Sequence, residues 1–125
     1  MQSSLLRRGL RPALATGPSP LGVCRGLKEN VAGLPSTSHV TRVWIPATGW
    51  QVDNVDGKRA SVAIYCHLAS TFSQRLGKEA AKRGLELYGE YVAEAQAHPG
   101  SHPNIDLLLQ VLAADGRTEY ELLVE

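Results

Sequence analysis

The spacing of apolar residues changes period several times along the chain, and each change marks an element. From Val40 to Ile45 the run Val-Thr-Arg-Val-Trp-Ile is rich in β-branched and aromatic residues, which predicts a strand. Pro46-Ala47-Thr48-Gly49 is a turn, and Trp50-Gln51-Val52 starts a return strand that runs into a second turn at Asp53–Gly57. Val62, Tyr65, Leu68, Ala69, Phe72 and Leu76 then step by threes and fours, a helix with Ser61 as its N-cap and Gly77 as its stop. A second helix is predicted over 78–97. Its inner face is Ala81, Leu85, Tyr88, Val92 and Ala95, and its charged residues lie outside that stripe. Gly84 and Gly89 each weaken such a helix by up to ~1 kcal/mol relative to alanine. They mark either a close helix–helix contact or a weak helix.

His98-Pro99-Gly100-Ser101 breaks the chain again. A third helix starts at Pro103, where a missing N–H is harmless, and carries Asp106 in its first turn, where a negative charge complements the helix dipole. Ile105, Leu108, Leu109 and Leu112 supply its buried face, and Asp115-Gly116 ends it. Residues 118–125 alternate as a half-buried strand, with Tyr120, Leu122 and Val124 on one face. The order β-β-α-α-α-β predicts a small two-layer α+β domain, its helices on one face of a mostly antiparallel sheet that the last strand closes against the hairpin.

The first 28 residues follow a different pattern. Leu6, Leu10 and Leu14 recur every four residues with Leu5 beside them, and Arg7, Arg8 and Arg11 occupy a neighbouring face. Charge sharpens the picture: residues 1–28 hold five basic residues and no acid, whereas residues 29–125 hold eight basic and twelve acidic ones. A basic amphipathic helix followed by Pro12, Gly17, Pro18, Pro20 and Gly22 has the composition of a mitochondrial transit peptide, with processing after Arg25 and a mature start between Gly26 and Glu29. The arginines interrupt every run that would serve a secretory signal. The organisation read from sequence is thus a transit peptide or basic arm at 1–28, a linker at 29–39 and one α+β domain at 40–125.

Composition bounds the function. The whole chain carries 13 basic and 12 acidic residues, which gives a nucleic acid no broad basic surface to bind. Its 43% hydrophobic content is enough for a packed core. No stretch approaches the ~20 apolar residues of a membrane span, and Cys24 and Cys66 are too few for a disulfide framework.

Residues able to do chemistry are sparse. Cys66 and His67 with His98 and His102 offer thiol and imidazole, but Pro99-Gly100 destroys the one-face spacing that a His-x-x-x-His zinc pair needs. The turn before Gly57 lacks the acceptors and the distal glutamate of a calcium loop, and Val52 stands where a phosphate loop needs glycine. No catalytic motif, metal site or cofactor site emerges. What remains are the loop residues His98, His102, Asn104 and Asp106, which place two imidazoles, an amide and a carboxylate beside a helix start and so suit a ligand or partner contact. Trp44 and Trp50 on one hairpin would form an interface if they shared a face.

Ala60–Tyr65, Ala80–Tyr88 and above all His98-Pro99-Gly100-Ser101-His102-Pro103-Asn104-Ile105-Asp106 resemble a family of small conserved bacterial proteins of unknown function. The resemblance covers roughly 40–124, assigns no catalytic residue, and implies a bacterial-type domain fitted with an organelle address. The function expected from all this is a non-enzymatic mitochondrial accessory or interaction module. It would work with protein partners as a peripheral subunit of a matrix-side or respiratory-chain complex, without nucleic acid, cofactor or transmembrane segment. The alternative is a small-molecule-binding protein or enzyme with its pocket at the 98–106 loop.

Overall fold

A computed structural model describes residues 26–125; the transit-peptide helix and its processing site lie outside the described residues, up to Arg25. The elements in chain order are α1 (Leu27–Ala32), β1 (Arg42–Ile45), β2 (Trp50–Asp53), α2 (Arg59–Thr71), β3 (Arg75–Leu76), α3 (Lys78–Tyr88), α4 (Tyr91–Ala97), α5 (Pro103–Ala113), β4 (Tyr120–Glu121) and β5 (Leu123–Val124). They form a small α+β domain whose sheets are antiparallel: a three-stranded sheet in the order β2-β1-β5 and a two-stranded one of β3 and β4. β5 pairs with β1, so the end of the chain does close the hairpin sheet.

α2 is the centre of the fold. Val62, Ala63, Ile64 and Tyr65 are four consecutive buried residues, and Leu68 and Ala69 follow. Four residues in a row spread over about 300° of the helix circumference, so one apolar stripe cannot account for them; the helix is covered on more than one side. The sheet, with Val43, Ile45 and Val52 facing inward, packs on α2 from one direction, and α3 packs on it from another. α5 in turn packs on α3. All helices therefore lie on one side of the sheet, but only α2 forms the bulk of the contact with it.

Gly84 shows how tightly these layers meet. A Cβ at this position would stand 2.7 Å from Leu108 Cδ1 of α5 and 3.0 Å from Leu68 Cδ1 of α2. The glycine admits two leucines to the flank of α3, so it is a close-contact glycine.

Several boundaries differ from those the periodicity predicts. The segment expected as a linker over 29–39 contains most of α1. Asn30 Nδ2 donates to the carbonyls of Glu86 (3.3 Å) and Leu87 (3.0 Å), and Glu90 Oε1 accepts from the Leu27 N–H at 2.8 Å, which ties this one-and-a-half-turn helix to the end of α3. The first long helix stops at Thr71 instead of Leu76 and starts with Lys58, not Ser61, at its N-cap. Ser73 (φ 55°) and Gln74 (φ 64°) adopt left-handed backbone and turn the chain into β3, with Leu76 still buried. The helix predicted over 78–97 is broken at Gly89, whose φ of 59° and ψ of −124° suit a glycine, and α4 sets off in a new direction. The last strand is split at Leu122, whose N–H donates to the Gln74 carbonyl at 2.8 Å while the residues on either side join different sheets. Val124, expected on the buried face with Tyr120 and Leu122, does oppose Val43 but sits at the sheet edge and is 38% exposed.

Gly84→Ala is expected to lower stability by about 1 kcal/mol net. Overpacking costs ~1–3 kcal/mol and helix propensity returns roughly 1. Combined with Leu108→Val, which vacates the clashing methyl, the loss in urea unfolding should fall short of the sum of the two single losses. Strict additivity would show that the two side chains do not compete for this space.

Candidate functional site

The four loop residues separate into two pairs. His98 ends α4 in an exposed position, and its carbonyl accepts from the Ser101 N–H (3.0 Å) and Ser101 Oγ (2.7 Å). Asp106 Oδ2 accepts from the Gly100 N–H at 2.9 Å, so its carboxylate closes the loop on itself. Both are structural ties of the 98–101 turn. His102 and Asn104, by contrast, line a cavity of about 370 Å³.

That cavity lies where two helices begin. Gly57, Lys58, Ala60 and Ser61 at the start of α2 form one wall, and Ser101–Ile105 at the start of α5 form the opposite one. Tyr88 from the end of α3, Tyr91 from α4 and Leu27 from α1 close the remainder. Neither helix start is capped by a side chain; at α5 Pro103 has no N–H, and those of Ile105 and Asp106 donate to the His102 carbonyl. α2 has no acid in its first turn, and the Asp106 carboxylate in that of α5 is held by Gly100.

Hydroxyl groups order one side of the cavity. Tyr88 is almost wholly buried and donates from Oη to Ser61 Oγ at 2.7 Å. Burial raises the Tyr88 pKa well above the ordinary range, partly offset by that hydrogen bond, so the phenol stays protonated at any physiological pH. His102 contributes an imidazole whose Nε2 is shielded from solvent. It lies 3.3 Å from Glu94 Oε1, within ion-pair distance but without hydrogen-bond geometry, while the ring meets Tyr91 edge-on at 5.7 Å.

Asn104 has a second, purely structural part. Its backbone carbonyl accepts from the Tyr65 hydroxyl, which links the first turn of α5 to the buried centre of α2. Burial pushes the Tyr65 pKa well up, with the nearby Tyr88 adding to it, so this donor also stays protonated.

The two tryptophans do not share a face. The β1–β2 register sets Ile45 opposite Trp50 and Trp44 opposite Gln51. Residues opposite one another in an antiparallel pair point to the same side, so Trp50 turns inward with Ile45, its ring 4.6 Å from that of Tyr65. Trp44 turns outward beside Leu123, half-buried, with the Arg42 guanidinium 4.6 Å above its ring. A joint aromatic platform is thus excluded by a one-residue offset, and Trp44 alone is available on the outer face.

Cys66 and His67 lie apart from the loop histidines, lining a separate cavity of about 300 Å³ with His39 and Gln74. Among the described residues, no group of three or more His, Cys, Asp or Glu side chains is placed to hold a metal ion. Burial pushes the Cys66 thiol up to about 11, the opposite of what a nucleophile needs. Nor is any helix among the described residues long and apolar enough to cross a membrane.

The class these features define is a small α+β domain, with a cavity of about 370 Å³ between two of its helix starts. Residues 27–122 match the family described as "Uncharacterized protein conserved in bacteria (DUF2322)", and the chain belongs to that family. No curated protein and no solved structure matches it.

Sequence reading missed Ser61, Tyr88 and Tyr91 as cavity residues. Ser61 has the signature of a cap and Tyr88 that of a core position; only the packing of α3 against α2 brings their hydroxyls together.

In a Cys24→Ser background, alkylation of Cys66 by iodoacetamide near neutral pH should run about a hundredfold slower than that of an exposed thiol, and accelerate with rising pH toward about 11. Equal rates for the folded and urea-unfolded chains would show that the thiol is not shielded.

Proposed function

We propose that the protein is a non-enzymatic mitochondrial module, a bacterial-type domain delivered by its N-terminal segment to act as an accessory or interaction subunit on the matrix side. The observation that carries this reading is the junction between the two parts of the chain. The family match begins at residue 27, and the acid-free, arginine-bearing stretch ends at Lys28, almost the same place. The domain is therefore accounted for without the basic segment, and the segment has the composition of an address. The outward-facing Trp44, flanked by Leu123 and roofed by Arg42, is the surface best suited to a protein partner.

A second reading is favoured by the cavity. The loop singled out from sequence contributes His102 and Asn104 to a half-open cavity of about 370 Å³, within the range of small-molecule sites. On this reading the domain binds a small ligand, and its partner contacts are secondary.

Native-size profiling of isolated mitochondria, with mass spectrometry of the N-terminus, tests the first reading. The expected result is migration well above the monomer mass with a first residue between Gly26 and Glu29, and loss of that migration in Trp44→Ser. A chain that retains Met1 and runs as a monomer outside the organelle overturns it.

A further inference from the structure

We infer that α1 is a hinged strap that opens as a unit and, once open, uncovers a single cleft made of the cavity between the two helix starts and the groove beside α1. The strap is a property of the fold and depends on neither reading of the function.

The strap is held by a shallow apolar contact and by polar ties. No residue of α1 is buried, and its six residues are too few for a helix to persist undocked. Leu27 and Val31 are half-buried against the core. The polar ties lead to the end of α3 and the residue that precedes α4: Glu90 Oε1 accepts from the Leu27 N–H, and Asn30 Nδ2 donates to the carbonyls of Glu86 and Leu87. Those carbonyls lie in the last turn of α3, where no further turn supplies donors. Asn30 therefore caps α3 while it secures α1, and undocking breaks both.

The other end of the strap is anchored. Asn54 Nδ2 donates to the carbonyls of Thr37 (3.0 Å) and Val40 (2.8 Å), and Val40 is buried. Between α1 and this anchor, Gly33, Pro35 and Ser36 are exposed and belong to no helix or strand, so the chain swings at residues 33–36. A groove of about 500 Å³ runs beside the strap, with Leu27, Val31 and Leu34 on one side and Ala60, Ala63 and Tyr91 among the residues on the other. Leu27, Ala60 and Tyr91 also line the cavity of about 370 Å³, so these three residues are the partition between the two spaces. Ala60 belongs to α2 and Tyr91 to α4, which pack into the domain. Leu27 is the part of the partition that moves.

Native-state hydrogen exchange of the full chain, followed by NMR at rising urea below the unfolding transition, tests this. The Leu27 and Asn30 amides are expected to share one nearly urea-independent opening, with protection at least a hundredfold lower than that of Tyr65 and Leu68 in α2. Asn30→Ala should lower the protection of the Leu27 amide about tenfold, although that amide donates to Glu90. Glu90→Ala should do the same to the Asn30 amide, which donates to the Gly26 carbonyl, and Glu90→Gln, which keeps an acceptor oxygen, should stay close to wild type. Ala63→Cys in a Cys24→Ser, Cys66→Ser background reports the cleft: its alkylation by a maleimide should accelerate with Asn30→Ala by the same factor. Protection of Leu27 and Asn30 equal to that of α2 overturns the strap. A Leu27 amide indifferent to Asn30→Ala overturns its opening as a unit, and equal losses in Glu90→Ala and Glu90→Gln overturn the part played by the acceptor. Unchanged alkylation beside faster exchange overturns its role as a cover.

Discussion

Burial of Tyr65 constrains nearly everything around it. Its ring is fully covered at the centre of α2, so its hydroxyl needs a partner inside the protein: leaving such a group unpaired costs about 1–3 kcal/mol. The partner is the Asn104 carbonyl, which fixes the first turn of α5 over α2. Trp50 covers another part of the ring from the hairpin, so sheet, central helix and third helix layer are referenced to one side chain. Gly84 then lets α3 fit between Leu68 and Leu108. The cavity follows from this arrangement. The starts of the two helices form opposite walls of it.

Much of the fold is legible in the sequence because it rests on local signals. The hairpin has β-branched strands and turn residues, and α5 has Pro103, Asp106 and a leucine stripe; each element appears within a residue or two of its expected place. What escapes is set by tertiary contact. α1 is too short to be stable alone and exists because Asn30 and Glu90 hold it to α3. The turn at Ser73-Gln74 uses left-handed backbone in residues without the usual glycine, at about 1 kcal/mol or more each. The hydrogen bond from the Leu122 N–H to the Gln74 carbonyl is among the contacts that hold it there. Gly89 carried a signal, but composition alone does not distinguish a glycine tolerated in a helix from one that ends it.

The candidate site is half legible for the same reason. The 98–106 loop stands out as polar residues gathered at a helix start, and His102 and Asn104 do line the cavity. His98 and Asp106 instead serve the turn, a division that depends on which way the loop folds at Gly100 (φ +94°). For the tryptophans the failure is one of register. Both lie on strands of one hairpin, yet a four-residue turn sets Trp50 opposite Ile45 and leaves Trp44 on the other face.

The placement of carboxylates gives the cavity its character. Asp106 complements the α5 dipole and could have lined the space beside Asn104, but its oxygen is spent on the Gly100 N–H. Glu90 is spent on α1, and Glu94 Oε1 lies 3.3 Å from His102 Nε2. The polar side chains that line the cavity include Lys58, Ser61, Tyr88 and Asn104. Stability by itself asks only that the loop and the helix starts be tied down, and acids directed inward would do that equally well by capping the free N–H groups. Neither helix start is capped by a side chain, so the ties at this rim run through the loop and through α1 instead of through the helix ends.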